Sequence, residues 1–158
     1  MKRIIPLFLA LLLLAGCSSK DLAYMAPIQA YCEALENNDF SRMQEAMPAA
    51  VLNSEGMNAG ELEELRRVFF ADAGTEYTLE ARPLKAEDFS IEDCQRLQAF
   101  LLEEYGCRLE VAEAKRLRLR LDLGGELKGD VEFYAVVYSD GTQWYVDFNT
   151  GVLETKGA

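Results

Sequence analysis

Apolar and polar residues follow three different periods along this chain, and each predicts a different kind of segment. An unbroken apolar run extends from Ile4 to Leu14. Further on the spacing becomes helical: Ile28, Tyr31, Cys32 and Leu35 fall on one face and predict a helix over 25–37. Asn37, Asn38 and Asp39 end it, because Asn tolerates the left-handed backbone and Asp39 or Ser41 can cap the next helix. Phe40, Met43 and Met47 mark that short second helix before Pro48. Asn58 and Glu61 form an N-terminal capping pattern for a third helix over 59–71, lined by Leu62, Leu65 and Phe69 and stopped near Gly74. The clearest helix begins after Ser90, which caps it with Asp93. Ile91, Cys94, Leu97, Leu101 and Tyr105 share its face, and Gly106 supplies its stop.

The remaining segments alternate. Tyr77, Leu79 and Ala81 against Thr78, Glu80 and Arg82 predict a strand from Thr75 that Pro83 ends. A second alternation begins at Cys107, Leu109 and Val111, lapses at Glu113 and Lys115 as at a bulge, and resumes through Leu117, Leu119, Leu121 and Leu123. Gly124-Gly125 begins a turn, Val131 to Tyr138 form the next strand, and Trp144 to Phe148 the last. A two-residue turn at Asp140-Gly141 sets Val137 opposite Trp144, Ala135 opposite Val146 and Phe133 opposite Phe148. All six are apolar and share one face, so the turn and the pattern agree, and that face is expected to bury against the helices.

The apolar run at the start has its own meaning. It comes after Met1-Lys2-Arg3 and precedes small residues, the form of a secretory leader, and it is too short to span a bilayer, which needs ~20 apolar residues. Leu14-Ala15-Gly16-Cys17 resembles the lipobox of bacterial lipoproteins. That resemblance implies a diacylglycerol on the Cys17 thiol, removal of residues 1–16, and a protein lipid-anchored on the extracytoplasmic side of the cell membrane. The expected organisation is a leader over 1–16, a lipidated N-terminus and tether over 17–23, one domain over 24–150, and a tail over 151–158.

Charge and cysteine content narrow the partners. The whole chain carries −11, and because the leader holds only basic charges, the part from Cys17 onward is two units more negative still. Such a surface disfavours nucleic acid and anionic headgroups, so the membrane is expected to hold the domain through its lipid alone. Beyond Cys17 stand Cys32, Cys94 and Cys107. A Cys94–Cys107 bridge is excluded, because the helix between them separates the two by about 20 Å and a bridge needs Cα atoms within ~7 Å. Cys32 with Cys94 or with Cys107 stays open, as do three buried free thiols.

The chain has no histidine, which removes Ser-His-Asp and Cys-His nucleophiles and nearly all catalytic zinc sites. No phosphate loop, dinucleotide glycine pattern or calcium loop is present. The sequence therefore offers no catalytic residues, no metal ligands and no cofactor. What it offers is a surface. The hairpin register sets Tyr134 opposite Asp147, Val136 opposite Tyr145 and Tyr138 opposite Gln143, and Arg116, Arg118 and Arg120 point the same way from the preceding strand. Arg116, Arg118, Arg120, Tyr134, Tyr138 and Tyr145 thus form a candidate interaction face, since Tyr and Arg concentrate at binding hot spots. The plainer reading is a solvated face of cross-strand pairs.

Taken together, the elements predict an α+β domain: N-terminal helices on a curved antiparallel sheet, with an extra helix before a C-terminal β-meander. The Asn37 to Phe40 turn, the first strand, and the meander ending Trp144-Tyr145-Val146-Asp147 resemble the nuclear transport factor two-like or cystatin-like class. That resemblance implies a cone-shaped cavity, with small-ligand binding in some relatives and isomerase or hydrolase activity in a few. It transfers no catalytic residue. The expected function is a non-catalytic binding or interaction domain at the envelope, for an unidentified protein or small ligand. The alternatives are a small enzyme using a carboxylate and a tyrosine in the cone, and an accessory structural lipoprotein without a ligand. A deep pocket holding a buried Asp or Glu with a raised pKa would favour the enzyme; a filled apolar cone would favour the outer face.

Overall fold

The computed structural model describes residues 23–70, 77–125 and 129–149. The leader, Cys17, most of the tether, the side chain of Phe69, the stop near Gly74, the start of the first strand at Thr75 and the tail 151–158 lie outside the described residues. A 3-10 turn, Ala23–Met25, leads into α1 (Ala26–Asn37), α2 (Phe40–Ala46), α3 (Ala49–Ser54) and α4 (Ala59–Phe69). Then come β1 (Tyr77–Asp88), α5 (Ile91–Tyr105), β2 (Glu113–Gly125), β3 (Gly129–Ser139) and β4 (Trp144–Asp147). The strands form one antiparallel sheet in the order β1-β2-β3-β4, curved and unclosed. The architecture is α+β, as expected.

Local chemistry sets the helix ends. Asn38 closes α1 in the left-handed region at φ 54°, and the Asp39 carboxylate accepts the Ser41 N–H to open α2. Asn58 Oδ1 accepts the N–H groups of Gly60 and Glu61 at the start of α4. Ser90 and Asp93 form a reciprocal capping box on α5, and Gly106 closes that helix at φ 63°, where a Cβ would be strained. α3 has none of this patterning; it is a short helix that the spacing of apolar residues did not reveal, opened by Pro48 with its fixed φ.

The sheet corrects four expectations. β1 does not end at Pro83 but runs on to Asp88, with a register shift between Pro83 and Lys85. It can do so because β1 is an edge strand, where a missing N–H costs no ladder bond. Cys107 to Val111 are not strand: the Val111 N–H donates to the Gln98 side chain, and the ladder begins only at Glu113. Gly124 and Gly125 are still paired, with Thr78 and Tyr77; a Cβ on Gly124 would lie 2.5 Å from Thr78 Oγ1, so a larger residue there would have to displace the Thr78 hydroxyl. The last hairpin has a longer loop. Asp140 Oδ1 accepts from the N–H groups of Thr142 and Gln143 and from Thr142 Oγ1, and strand pairing starts at Ser139 opposite Trp144. Val137 therefore faces Val146, a slip of two residues from the expected register. A slip of two preserves which face each side chain occupies, so the predicted apolar face survives.

That face carries Leu117, Leu119, Ala135, Val137 and Val146 and packs against Met25, Ile28, Ala30 and Ala46. A contiguous cluster joins Leu35, Met43, Leu52 and Leu62 to Leu79 and Leu121. The other face is treated differently at its two ends. Where β2 starts and β3 ends, Ala114, Val136 and Tyr138 are covered by Leu97, Leu101 and Tyr105 of α5 and by Val51 of α3. At the opposite end it is open and carries charge.

Candidate functional site

The covered end of the outer face revises the proposed interaction surface. Tyr138 has no exposed surface and lies beneath α5, so it is not part of any outward face. Tyr145 is half-buried beside it, ring centroids 5.9 Å apart. Tyr134 remains exposed, opposite Arg118. The arginines are interleaved with acids: Arg118 pairs with Glu132, and Arg120 pairs with Asp122 at 3.2 Å and Asp130 at 3.1 Å. Arg116 lies opposite Glu87, whose carboxyl is held low chiefly by Lys85, with Arg116 adding to it. The positive charge of the three arginines on the candidate face is thus offset in place.

The cysteines are settled more simply. Cys32, Cys94 and Cys107 are buried free thiols. Cys32 belongs to the cluster beneath α1, whereas Cys94 and Cys107 lie on the opposite side of the sheet with α5. The sheet stands between the partners that either open pairing would need. Burial pushes the Cys32 thiol up to about 11, with Glu36 and Glu33 adding to it, so it is neutral and a poor nucleophile.

The structure brings together a different group. A cavity of about 430 Å³ opens beside the edge strand β4, walled by Tyr31 of α1, Met43 and Met47 around the end of α2, Val51 and Leu52 of α3, and Met57. Its remaining polar wall is Glu55, Tyr105, Asp147 and Asn149. Asp147 is 5% exposed. Its Oδ1 accepts the Asn149 N–H at 2.7 Å, and its Oδ2 is buried with no hydrogen-bond partner among the described residues. Tyr138, on the same sheet face one strand away, has a buried hydroxyl that is also unpartnered. The Asn149 side-chain amide donates to the Tyr105 hydroxyl at 3.4 Å.

These contacts explain the electrostatics. Burial raises the Asp147 carboxyl above the ordinary carboxylate range; the Asn149 N–H opposes that shift, the Glu55 charge adds to it, and the Tyr105 phenol also opposes it. Burial, with Asp147 adding, raises the Tyr138 phenol. Tyr105 is raised by burial in the same way. Both phenols are therefore protonated donors across the neutral range. Among the described residues no lysine or arginine lines the cavity.

A second, smaller cavity of about 280 Å³ lies between α1 and the sheet. Ile28, Leu35, Leu79, Leu121 and Phe133 line it, and among the described residues its only polar side-chain atoms belong to Tyr31 and Cys32. This cavity is mostly apolar and shares Tyr31 and Phe148 with the larger one, whereas Asp147 and Tyr105 line only the larger.

The sequence could not find Asp147. In the strand alternation it reads as an outward residue, and its burial depends on α3 and the end of α5 closing over that edge.

Residues 1–18 match the family of prokaryotic membrane lipoprotein lipid attachment sites. The protein is lipid-anchored at the membrane. No curated protein and no solved structure matches the chain. Among the described residues no helix is long and apolar enough to cross a membrane, and no group of three or more His, Cys, Asp or Glu could hold a metal ion. From Cys17 the described fold starts six residues later, at Ala23, a reach of at most ~20 Å.

Proposed function

We propose that this lipoprotein is a non-catalytic binding domain held close to the membrane, and that its site is the cavity ending on Asp147. One observation carries the reading: a nearly inaccessible carboxylate oxygen, with no hydrogen bond of 3.5 Å or less among the described residues, sits in the wall of a cavity large enough for a small molecule. An unsatisfied buried acceptor costs ~1–3 kcal/mol, and a ligand donor that reaches it removes that cost. The three methionines of the wall suit the reading, because thioether side chains adapt their shape to what they enclose. The test is native mass spectrometry of the lipidated protein released gently from its own membranes. A bound small molecule is expected, and Met47→Trp, which fills the cavity from its half-buried wall, removes it. An adduct indifferent to Met47→Trp would place binding elsewhere and sink the reading.

A second reading, a small enzyme, is the one that a pocket holding a buried Asp of raised pKa is expected to favour, and it rests on Asp147 and the Tyr105 phenol beside it. A carboxylate of raised pKa with a phenolic donor is the arrangement of a general base and its electrophilic partner. It requires that Asp147→Asn abolish deuterium uptake at an acidic C–H of the bound molecule. Uptake equal in wild type and variant counts against it.

A further inference from the structure

We propose that the ligand of the Asp147 cavity is a protonated amine with an apolar body; the inference rests on the binding reading above and names its chemical class. Three features of the cavity converge on it. Its charged wall residues are both acidic, Asp147 at depth and Glu55 at the exposed rim, and the Glu55 charge acts on Asp147. An anionic ligand would meet two like charges and no base. A neutral ligand would satisfy the Asp147 oxygen but leave a buried charge uncompensated. An N–H of an ammonium does both, and hydrogen bonds between two ionised groups are the stronger kind.

The second feature is the set of rings. Tyr31, Tyr105 and Phe148 line the same cavity, and aromatic faces attract a desolvated cation. Tyr31 and Phe148 already pack together, with ring centroids 4.6 Å apart. The third feature is the apolar remainder of the wall, Met43, Met47, Val51, Leu52 and Met57, which offers nothing for a second polar group to bond. The part of the ligand that meets this wall is therefore apolar. A bare metal cation fits poorly, because Asp147 and Glu55 are the only carboxylates on the wall among the described residues, and the rest is mostly thioether and hydrocarbon. The negative charge of the whole chain favours the encounter with a cation as well.

The experiment is calorimetric titration of the lipidated protein in nanodiscs with three probes of one shape: 2-phenylethylammonium, 2-phenylethanol and 3-phenylpropionate, each corrected for empty nanodiscs. The ammonium is expected to bind about tenfold more tightly than the alcohol, the carboxylate not measurably. Asp147→Asn is expected to erase the preference for the ammonium, and Glu55→Gln to weaken the ammonium alone. Asp147→Asn keeps the acceptor for the Asn149 N–H, so its fold is expected to persist, which the unfolding curve of the same sample reports. If the alcohol binds as tightly as the ammonium, and Met47→Trp abolishes both, the cavity reading stands and the amine is overturned. If the ammonium binds equally to the wild type and to Asp147→Asn, the amine is likewise overturned. Binding of none of the three overturns it too, and leaves the binding reading to the adduct search.

Discussion

Among the described residues, Asp147 and Tyr138 depart from ordinary economy, each hiding a side-chain polar atom without a hydrogen-bond partner there. The consequence for Asp147 has a definite sign. Its folded pKa lies above the ordinary value of ~3.9, so the folded state holds the proton more tightly than the unfolded chain. Its contribution is most favourable below the ordinary carboxylate value. It falls as the pH rises through the raised one, and stays unfavourable at neutral pH. Asp147→Asn removes that slope. Urea unfolding from pH 4 to 8 is therefore expected to show the variant gaining on the wild type as the pH rises, with the excess flat at the top of the range. Glu55, whose charge contributes to the shift, makes a second lever: Glu55→Gln shallows the wild-type slope. A variant that loses stability at pH 8 would mean that Oδ2 has a donor after all. Tyr138→Phe tests the other atom. Removing a buried hydroxyl that bonds to nothing is expected to be neutral or to stabilise by ~1 kcal/mol, whereas Leu119→Ala, on a residue with no exposed surface, costs ~2–5 kcal/mol. Urea midpoints at constant m distinguish the three cases.

Elements were legible where local chemistry alone decides them. α5 carries its own start and stop: Ser90 with Asp93 at one end, Gly106 at the other, and a continuous stripe from Cys94 to Tyr105. Its observed range, Ile91–Tyr105, is the one its sequence predicts. Ser90→Ala is expected to cost ~1 kcal/mol by leaving the Asp93 N–H without its side-chain acceptor. Because Asp93 returns a bond to the Ser90 N–H, the double change Ser90→Ala with Asp93→Ala should cost less than the sum of the two single changes. Additive losses in thermal unfolding would show the box to be two independent bonds. Elements decided by their neighbours were not legible. Pro83 reads as a strand end unless β1 is known to be an edge, and that is a fact about strand order. The hairpin loop reads as Asp140-Gly141 alone unless the Asp140 carboxylate is seen to gather the N–H groups of Thr142 and Gln143. The slip that results is two residues, and so the core prediction survived a wrong register.

At the scale of the whole molecule, the same alternation places Tyr138 and Tyr134 on one face, yet one is wholly buried and the other exposed. Nothing in β3 distinguishes them. The difference is α5 lying over one end of the sheet, so the candidate surface lost Tyr138 and the Asp147 cavity stayed out of sight. The attachment to the membrane, by contrast, was legible residue by residue, since the lipobox acts before folding. The leader and Cys17 are expected to account for it without help from the domain, since each CH₂ of an acyl chain contributes ~0.8 kcal/mol when buried in the bilayer. A surface whose net charge is strongly negative is repelled by anionic headgroups and cannot replace that anchor by adsorption. Cys17→Ser is therefore expected to move the protein out of the membrane fraction without altering its urea midpoint. Raising the salt concentration should leave the wild type bound, since salt screens charge and does not weaken acyl burial. Salt-induced release of the wild type, or retention of Cys17→Ser at low salt, would mean that the domain itself touches the bilayer. The open, ion-paired end of the sheet, with Arg118 and Arg120 exposed there, would then be the first surface to examine.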